Sequence, residues 1–272
     1  MSQVILAVEA CDPSDVIICT PSSINELFEF REPLFMIGSF PVTRTVLLIF
    51  LAALFVIAVL FFGLRSRRLV PTRFGVAVES IVGFVRDDIA IGIIGPEGAR
   101  FTPWLLSLFL FILVGNSFEL VPGINFPITS RVAIPVFLAL ITYVVFLAVG
   151  IKRHGIRYFT GIIWPMYVPW YLRWLVGLIE FVSILFLRPF TLAVRLFANM
   201  VAGHLMLTLL LVSGWVFISN AGTIGLKAGI GVAWFGMGLL IFMFEIVVIM
   251  LQAYIFTLLS AVYVETSLNP AH

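Results

Sequence analysis

Apolar residues in this chain run in blocks of about twenty or more, longer than a soluble helix or strand requires. The first block, Thr43–Leu64, carries no charge after Arg44 and reads as a membrane helix. A basic cluster follows, Arg65, Arg67, Arg68 and Arg73. Residues 73–94 are apolar overall but hold Glu79, Arg86, Asp87 and Asp88. Adjacent charges do not sit in hydrocarbon, so this segment is predicted to be an amphipathic helix lying in the membrane interface. A turn-rich break at 95–100 precedes a second block, Pro103–Val121, and a third, Val132–Ile151, which ends at Lys152 and Arg153.

Beyond residue 155 the pattern changes. Tyr158, Trp164, Tyr167, Trp170, Tyr171 and Trp174 are interleaved with Pro165 and Pro169, the composition of an interfacial corner. Two long apolar stretches follow, 170–212 and 228–264, joined by a glycine-rich turn at 213–227. A helix of such length measures roughly 55 Å, nearly twice the hydrocarbon thickness. The pair is predicted to form a strongly tilted hairpin, its first arm bent or broken at Pro189.

The fold class is therefore all-α integral membrane, with about five membrane helices and one interfacial amphipathic helix. The expected organisation is an extracytoplasmic acidic tail (1–42), membrane helix 1 (43–64) and a cytoplasmic loop with the surface helix (65–100). Membrane helices 2 and 3 with the interfacial corner (101–169), the long hairpin (170–264) and a cytoplasmic tail (265–272) complete it. Orientation comes from charge. Residues 1–42 hold Glu9, Asp12, Asp15, Glu26, Glu29 and Glu32 against Arg31 alone, while the basic clusters follow the first and third blocks. The positive-inside rule places those clusters in the cytoplasm and the N-terminus outside.

Composition excludes several classes of function. The chain is 62% hydrophobic and 11% charged with a formal charge of +2, which leaves no basic surface for nucleic acid. No basic start followed by an apolar core occurs in the first 40 residues, so no cleavable signal is read there. Cys11 and Cys19 are the only cysteines, either a disulfide or two free thiols. No HExxH or Gly-x-Ser-x-Gly pattern is present, and no internal repeat of the kind that builds transporters.

Within this apolar chain a few polar residues stand out. Arg195 lies in a stretch apolar enough for the bilayer, where burying an arginine costs about 3 kcal/mol. Its neighbours three and four positions away are Thr191, Leu192, Ala198 and Asn199, so no carboxylate is within one turn. Its counter-charge must come from another segment or another protein. Asn199 shares its face, and His204 follows nine residues on. Glu245 and Gln252 are seven apart on the last stretch. A hairpin folded about residues 222–226 sets Arg195 opposite Gln252 and His204 opposite Glu245. Asn116 and Glu119, three apart at the outer end of the second block, extend a polar path outward, and Glu180 lies towards the cytoplasmic start of its helix. Histidine beside a carboxylate passes protons near neutral pH, whereas a fixed cation repels them. The arrangement reads as two half-channels with a barrier between.

The run from Pro189 to His204, with Arg195 and Asn199 within it, and Leu251-Gln252 near the end closely resembles subunit a of F-type ATP synthases. The resemblance covers nearly the whole chain and is of the bacterial kind. It implies a stator, not itself catalytic and without a cofactor, set beside a ring of c subunits whose essential carboxylate faces Arg195. It implies further partners in b-type peripheral stalk subunits and the F1 head, and the last two helices curved around the ring. Proton translocation then involves Arg195, Asn199, His204, Glu245, Gln252, Asn116, Glu119 and Glu180. His204 with Glu245 matches one of two family arrangements, the other placing the acid first and the histidine second. Glu180 lies one residue further from Pro189 than the family's usual acid. The implied location is the bacterial plasma membrane, with the mitochondrial inner membrane as alternative. A proton-coupled secondary transporter is the alternative function.

Overall fold

The computed structural model describes residues 18, 35–37, 40–65, 72–121, 124–155, 158, 169–220 and 228–269. Cys11, Cys19, nearly all of the acidic tail, residues 159–168 of the aromatic corner and the turn at 221–227 lie outside them. The molecule is an all-α integral membrane protein with one small addition. Strands β1 (Phe35–Ile37) and β2 (Phe40–Val42) pair antiparallel, Phe35 opposite Val42, just before the first membrane helix.

Among the described residues, five helices are long and apolar enough to cross a membrane: Arg44–Leu64, Pro96–Ser117, Ala133–His154, Arg173–Ser219 and Gly229–Leu268. They pass through two compact units. One comprises Met1–Ala53, Val114–Arg131 and Ala198–Leu251; the other comprises Leu54–Leu113, Val132–Phe197 and Gln252–His272.

In the second unit, helix α1 (Arg44–Leu64) ends against helix α2 (Arg73–Gly83) at Gly63, where a Cβ would lie 2.7 Å from the Val78 side chain. Thr72 caps α2, its hydroxyl accepting from the Gly75 N–H at 3.2 Å. The helix continues through a π-helical segment, Phe84–Ile91, to Ile94. Val78, Val85, Ile89 and Ile94 are buried while Glu79, Arg86, Asp87 and Asp88 are exposed, so one apolar face packs and the charges stay out. Gly95, at φ +86°, breaks the helix, and a 3-10 turn, Pro96–Phe101, leads into α3 (Thr102–Ser117).

Helix α4 (Ala133–His154) packs on the end of the last helix, α7 (Ala228–Leu268). Phe146 meets Tyr263 with ring centroids 5.9 Å apart, and the Thr142 and Ser260 hydroxyls are 3.4 Å apart. Arg188 donates to Thr266 Oγ1 at 3.0 Å and lies over the Tyr263 ring. Tyr158 is buried against Gly150 with its hydroxyl 3.0 Å from Ser267 Oγ. Trp170, Tyr171 and Trp174 of the same corner are exposed.

Helices α5 (Arg173–Val182) and α6 (Arg188–Ser219) form one continuous 47-residue rod, joined by the π-helical segment Ser183–Leu187. A proline in a helix lacks an N–H and presses on the carbonyl four residues back. Here the widened turn directly precedes Pro189, and the Arg188 N–H reaches Ser183 O, five residues back, so the helix passes the proline without breaking. At 1.5 Å per residue the rod is about 70 Å long, more than twice the hydrocarbon thickness.

In the first unit, α6 and α7 run antiparallel at close range. A Cβ at Gly214 would meet Phe235, one at Gly231 would meet Phe217, and one at Gly238 would meet Leu211, each at under 2.9 Å. Each pair has its midpoint at about residue 224, so the hairpin register falls within the 222–226 expected from sequence. Glycines on both arms let the backbones approach, as small residues do in membrane interfaces.

Candidate functional site: a buried acid–histidine cluster and an exposed arginine

Asn116 lies in the last turn of α3. The helix stops at Ser117, and Glu119 sits in the turn that follows, its N–H bonded to the Asn116 carbonyl at 3.0 Å. The chain then folds back inward. Phe126, Pro127, Ile128, Thr129 and Ser130 are all buried, a plug where the sequence predicts only a short outer loop. Ile128 packs on Gly115, whose missing side chain makes room for it. This plug brings Thr129 Oγ1 to Asn116 Oδ1 at 2.5 Å, donating to the amide oxygen.

From α6 comes His204, whose Nδ1 is 3.2 Å from Glu119 Oε1. From α7 comes Glu245, packed on Gly203: a Cβ at that glycine would lie 2.6 Å from Glu245 Cδ. Asn116, Glu119, His204 and Glu245 are exposed by only 0, 2, 4 and 2%. Glu119 also acts electrostatically on Glu245. Asn116 Nδ2, Glu119 Oε2 and Glu245 Oε1 have no hydrogen-bond partner among the described residues. A buried ionised carboxylate costs several kcal/mol unless fully compensated. Two such acids beside an imidazole thus keep donor and acceptor capacity to spare.

The hairpin register predicts His204 opposite Glu245; Glu245 packs on the adjacent Gly203, and His204 also meets Glu119. Position 245 falls opposite 203, one residue and about 100° around the helix from His204. Glu119, distant by 85 positions, reaches the imidazole because the turn after α3 carries it inward. Thr129 is the polar contributor that sequence reading missed, since a lone threonine in a short loop gives no signal of burial.

Arg195 behaves differently. It lies nine residues before His204 on α6, about two and a half turns, and therefore points to the opposite side. It is exposed and has no hydrogen bond or ion pair among the described residues. Along the same stripe Thr191, Val194, Ala198, Asn199, Ala202 and Met206 are exposed too. Gln252 on α7 is buried at 2% exposure, so it does not share that open face. Glu180 is half-buried on α5. Between Glu180 and Pro189 lies the π-helical segment Ser183–Leu187. A π-turn takes one more residue than an α-turn, so the faces of the helix on either side of it are offset by that residue.

Fold and site together define a multi-pass helical membrane protein that buries an acid–histidine cluster and exposes an intramembrane arginine. The family profile described as ATP synthase A chain matches residues 46–265, and the chain belongs to that family. It is 43% identical over 222 residues to ATP synthase subunit a of Frankia alni, covering 81% of this chain and 75% of the relative. It is 40% identical over 234 residues to that of Rhodococcus erythropolis, covering 85% and 84%, and 36% identical over 252 residues to that of a Nocardioides species, covering 91% and 88%. The resemblance read from the Arg195 motif and the Gln252 run is thereby shown, and with it a place in ATP synthesis and membrane ion transport.

Proposed function

We propose that this chain is the stator subunit of an Fo sector, providing two proton half-channels and an arginine barrier that couple proton flow to rotation of a c-ring. The observation that carries this reading is the division of α6 into two faces. His204 turns into the buried cluster, while Arg195 and Asn199 lie on an open stripe with Ala198 and Ala202. Small residues beside a lone charge suit close approach by another helix that brings a carboxylate. The facing ring carboxylate is then the counter-charge that this chain lacks within one turn of Arg195.

In this scheme Asn116, Glu119, His204 and Glu245 form the outer path, with Thr129 holding the Asn116 amide oxygen so that its NH₂ group faces the path. Glu180, half-buried on α5, serves the inner path, and Gln252 lines the hairpin core near the barrier. A proton passes Arg195 only when carried on the rotor. The chain makes and breaks no covalent bonds; catalysis belongs to the F1 head, and b-type stalk subunits hold the stator in place. It works in the bacterial plasma membrane, N-terminus outside and C-terminus in the cytoplasm, a reading supported by bacterial relatives and by the placement of basic residues after the first and third membrane helices.

Affinity purification through a tag on this chain from mild detergent tests the reading. The c-ring, stalk and catalytic head are expected to copurify with it. Recovery of the chain alone or as a homo-oligomer, with substrate-dependent proton flux in vesicles, overturns the stator reading in favour of a secondary transporter. A second expectation concerns Gly203. Gly203→Ala forces a methyl group onto the Glu245 carboxylate, costing about 1–3 kcal/mol of stability through overpacking. It is expected to depress ATP-driven acidification of inverted vesicles well below the level of Gly214→Ala, whose nearest neighbour is Phe235 and not an acid. Equal activities of the two variants, at matched assembly, rule out a special role for that contact.

A further inference from the structure

The strongest unassigned feature lies where the start of α3 meets the ends of α4 and α7. Arg100, Phe101, Val149, Lys152, Arg153 and Leu268 line a cavity of about 320 Å³. Arg100 and Arg153 both reach a single carboxylate, Glu97, at 3.0 and 3.4 Å. Lys152 has no ion pair among the described residues. Two of the three cations thus share one acid and the third has none, beside the apolar Phe101, Val149 and Leu268. Cations in the last turn of a helix offset its dipole, which accounts for Lys152 and Arg153. That does not account for Arg100, which comes from a different element, or for the cavity.

We propose that this cavity binds the phosphate headgroup of an anionic phospholipid. Depth selects the occupant. Helix α4 is 22 residues long, about 33 Å, and carries Lys152 and Arg153 in its last turn. Lys152 and Arg153 therefore stand at the far hydrocarbon boundary, about 30 Å away, where lipid phosphates lie. Phe101, Val149 and Leu268 offer an apolar wall to the start of an acyl chain, while the guanidinium of Arg100, 4.8 Å from the Phe101 ring centroid and bonded through one amino group to Glu97, has further donors for an oxyanion. Basic pockets between membrane helices on the cytoplasmic side have this chemistry. None of these lining residues belongs to the proposed proton path.

The complex purified through a tag on this chain is expected to retain anionic phospholipid, phosphatidylglycerol or cardiolipin, as measured by native mass spectrometry. The triple variant R100Q/K152Q/R153Q loses it, R100K/R153K keeps it, and K152Q alone weakens retention about fivefold. Unchanged retention by the triple variant overturns the proposal. So does displacement of the lipid by millimolar inorganic phosphate, which assigns the site to free phosphate. So does loss of a copurifying subunit with the lipid retained, which assigns it to an acidic protein segment. Should the triple variant fail to assemble, Ile151→Cys in a Cys11→Ser/Cys19→Ser background keeps all three cations. A fluorophore there is expected to be quenched at several-fold lower mole fraction by brominated phosphatidylglycerol than by brominated phosphatidylcholine; equal quenching overturns the proposal.

Discussion

Inverted vesicles carrying Arg195→Ala are expected to show no ATP-driven acidification, with the complex assembled and its ATP hydrolysis intact. Once the catalytic head is stripped, the same vesicles are expected to take up protons passively faster than wild type. Both effects follow from a fixed charge in a medium that screens poorly. At an effective dielectric of about 20, two unit charges 4 Å apart interact by about 4 kcal/mol, nearly a thousandfold in rate or occupancy. In the proposed scheme that energy does two things. It holds the facing rotor carboxylate ionised, so that the carboxylate releases its proton on arrival, and it repels a free proton between the half-channels. Arg195→Lys preserves the charge but not the planar guanidinium, and is expected to pump weakly while leaking little. Unimpaired pumping by Arg195→Ala removes the barrier from the scheme and with it the assignment of the exposed stripe to a rotor.

That stripe explains which parts of this protein were legible in its sequence. Membrane helices announce themselves because the bilayer demands about twenty apolar residues in a row. The hairpin register was legible too, since two arms joined by a short turn leave little freedom. What sequence does not carry is the local response to conflict. The π-helical segment before Pro189 relieves the clash that suggested a bend or break, and no residue preference marks it in advance. Nor did the run from Phe126 to Ser130 look buried, because burial there depends on Gly115 leaving room for Ile128. The Glu119–His204 contact was hidden for the same reason: the residues are 85 apart and meet only because the plug and the turn after α3 fold inward. Arg195 was readable as a charge without a local partner; that it faces away from His204 followed from counting nine residues along a helix that does not break.

The geometry of the cluster leads to a prediction about exchanging its members. His204 stands beside Glu119, and Glu245 stands one position away against Gly203. His204→Glu alone places three carboxylates in one buried pocket, where like charges in low dielectric oppose ionisation and protons are held too tightly. Glu245→His alone leaves two imidazoles and one acid, favouring a trapped positive charge. Each single variant is expected to lower ATP-driven acidification about a hundredfold, the loss that follows removal of a group active in proton transfer. The double variant His204→Glu/Glu245→His restores two acids and one imidazole within the same three side-chain positions, with Gly203 still leaving room at the hairpin contact. It is expected to recover most of the activity, and the non-additivity is the informative quantity, since independent sites would multiply their losses. A double variant no better than the worse single, with assembly matched, means that the cluster is a packing device and that protons enter elsewhere. Recovery in the double variant but not in Glu119→Gln made on top of it places Glu119 as the shared partner of either arrangement.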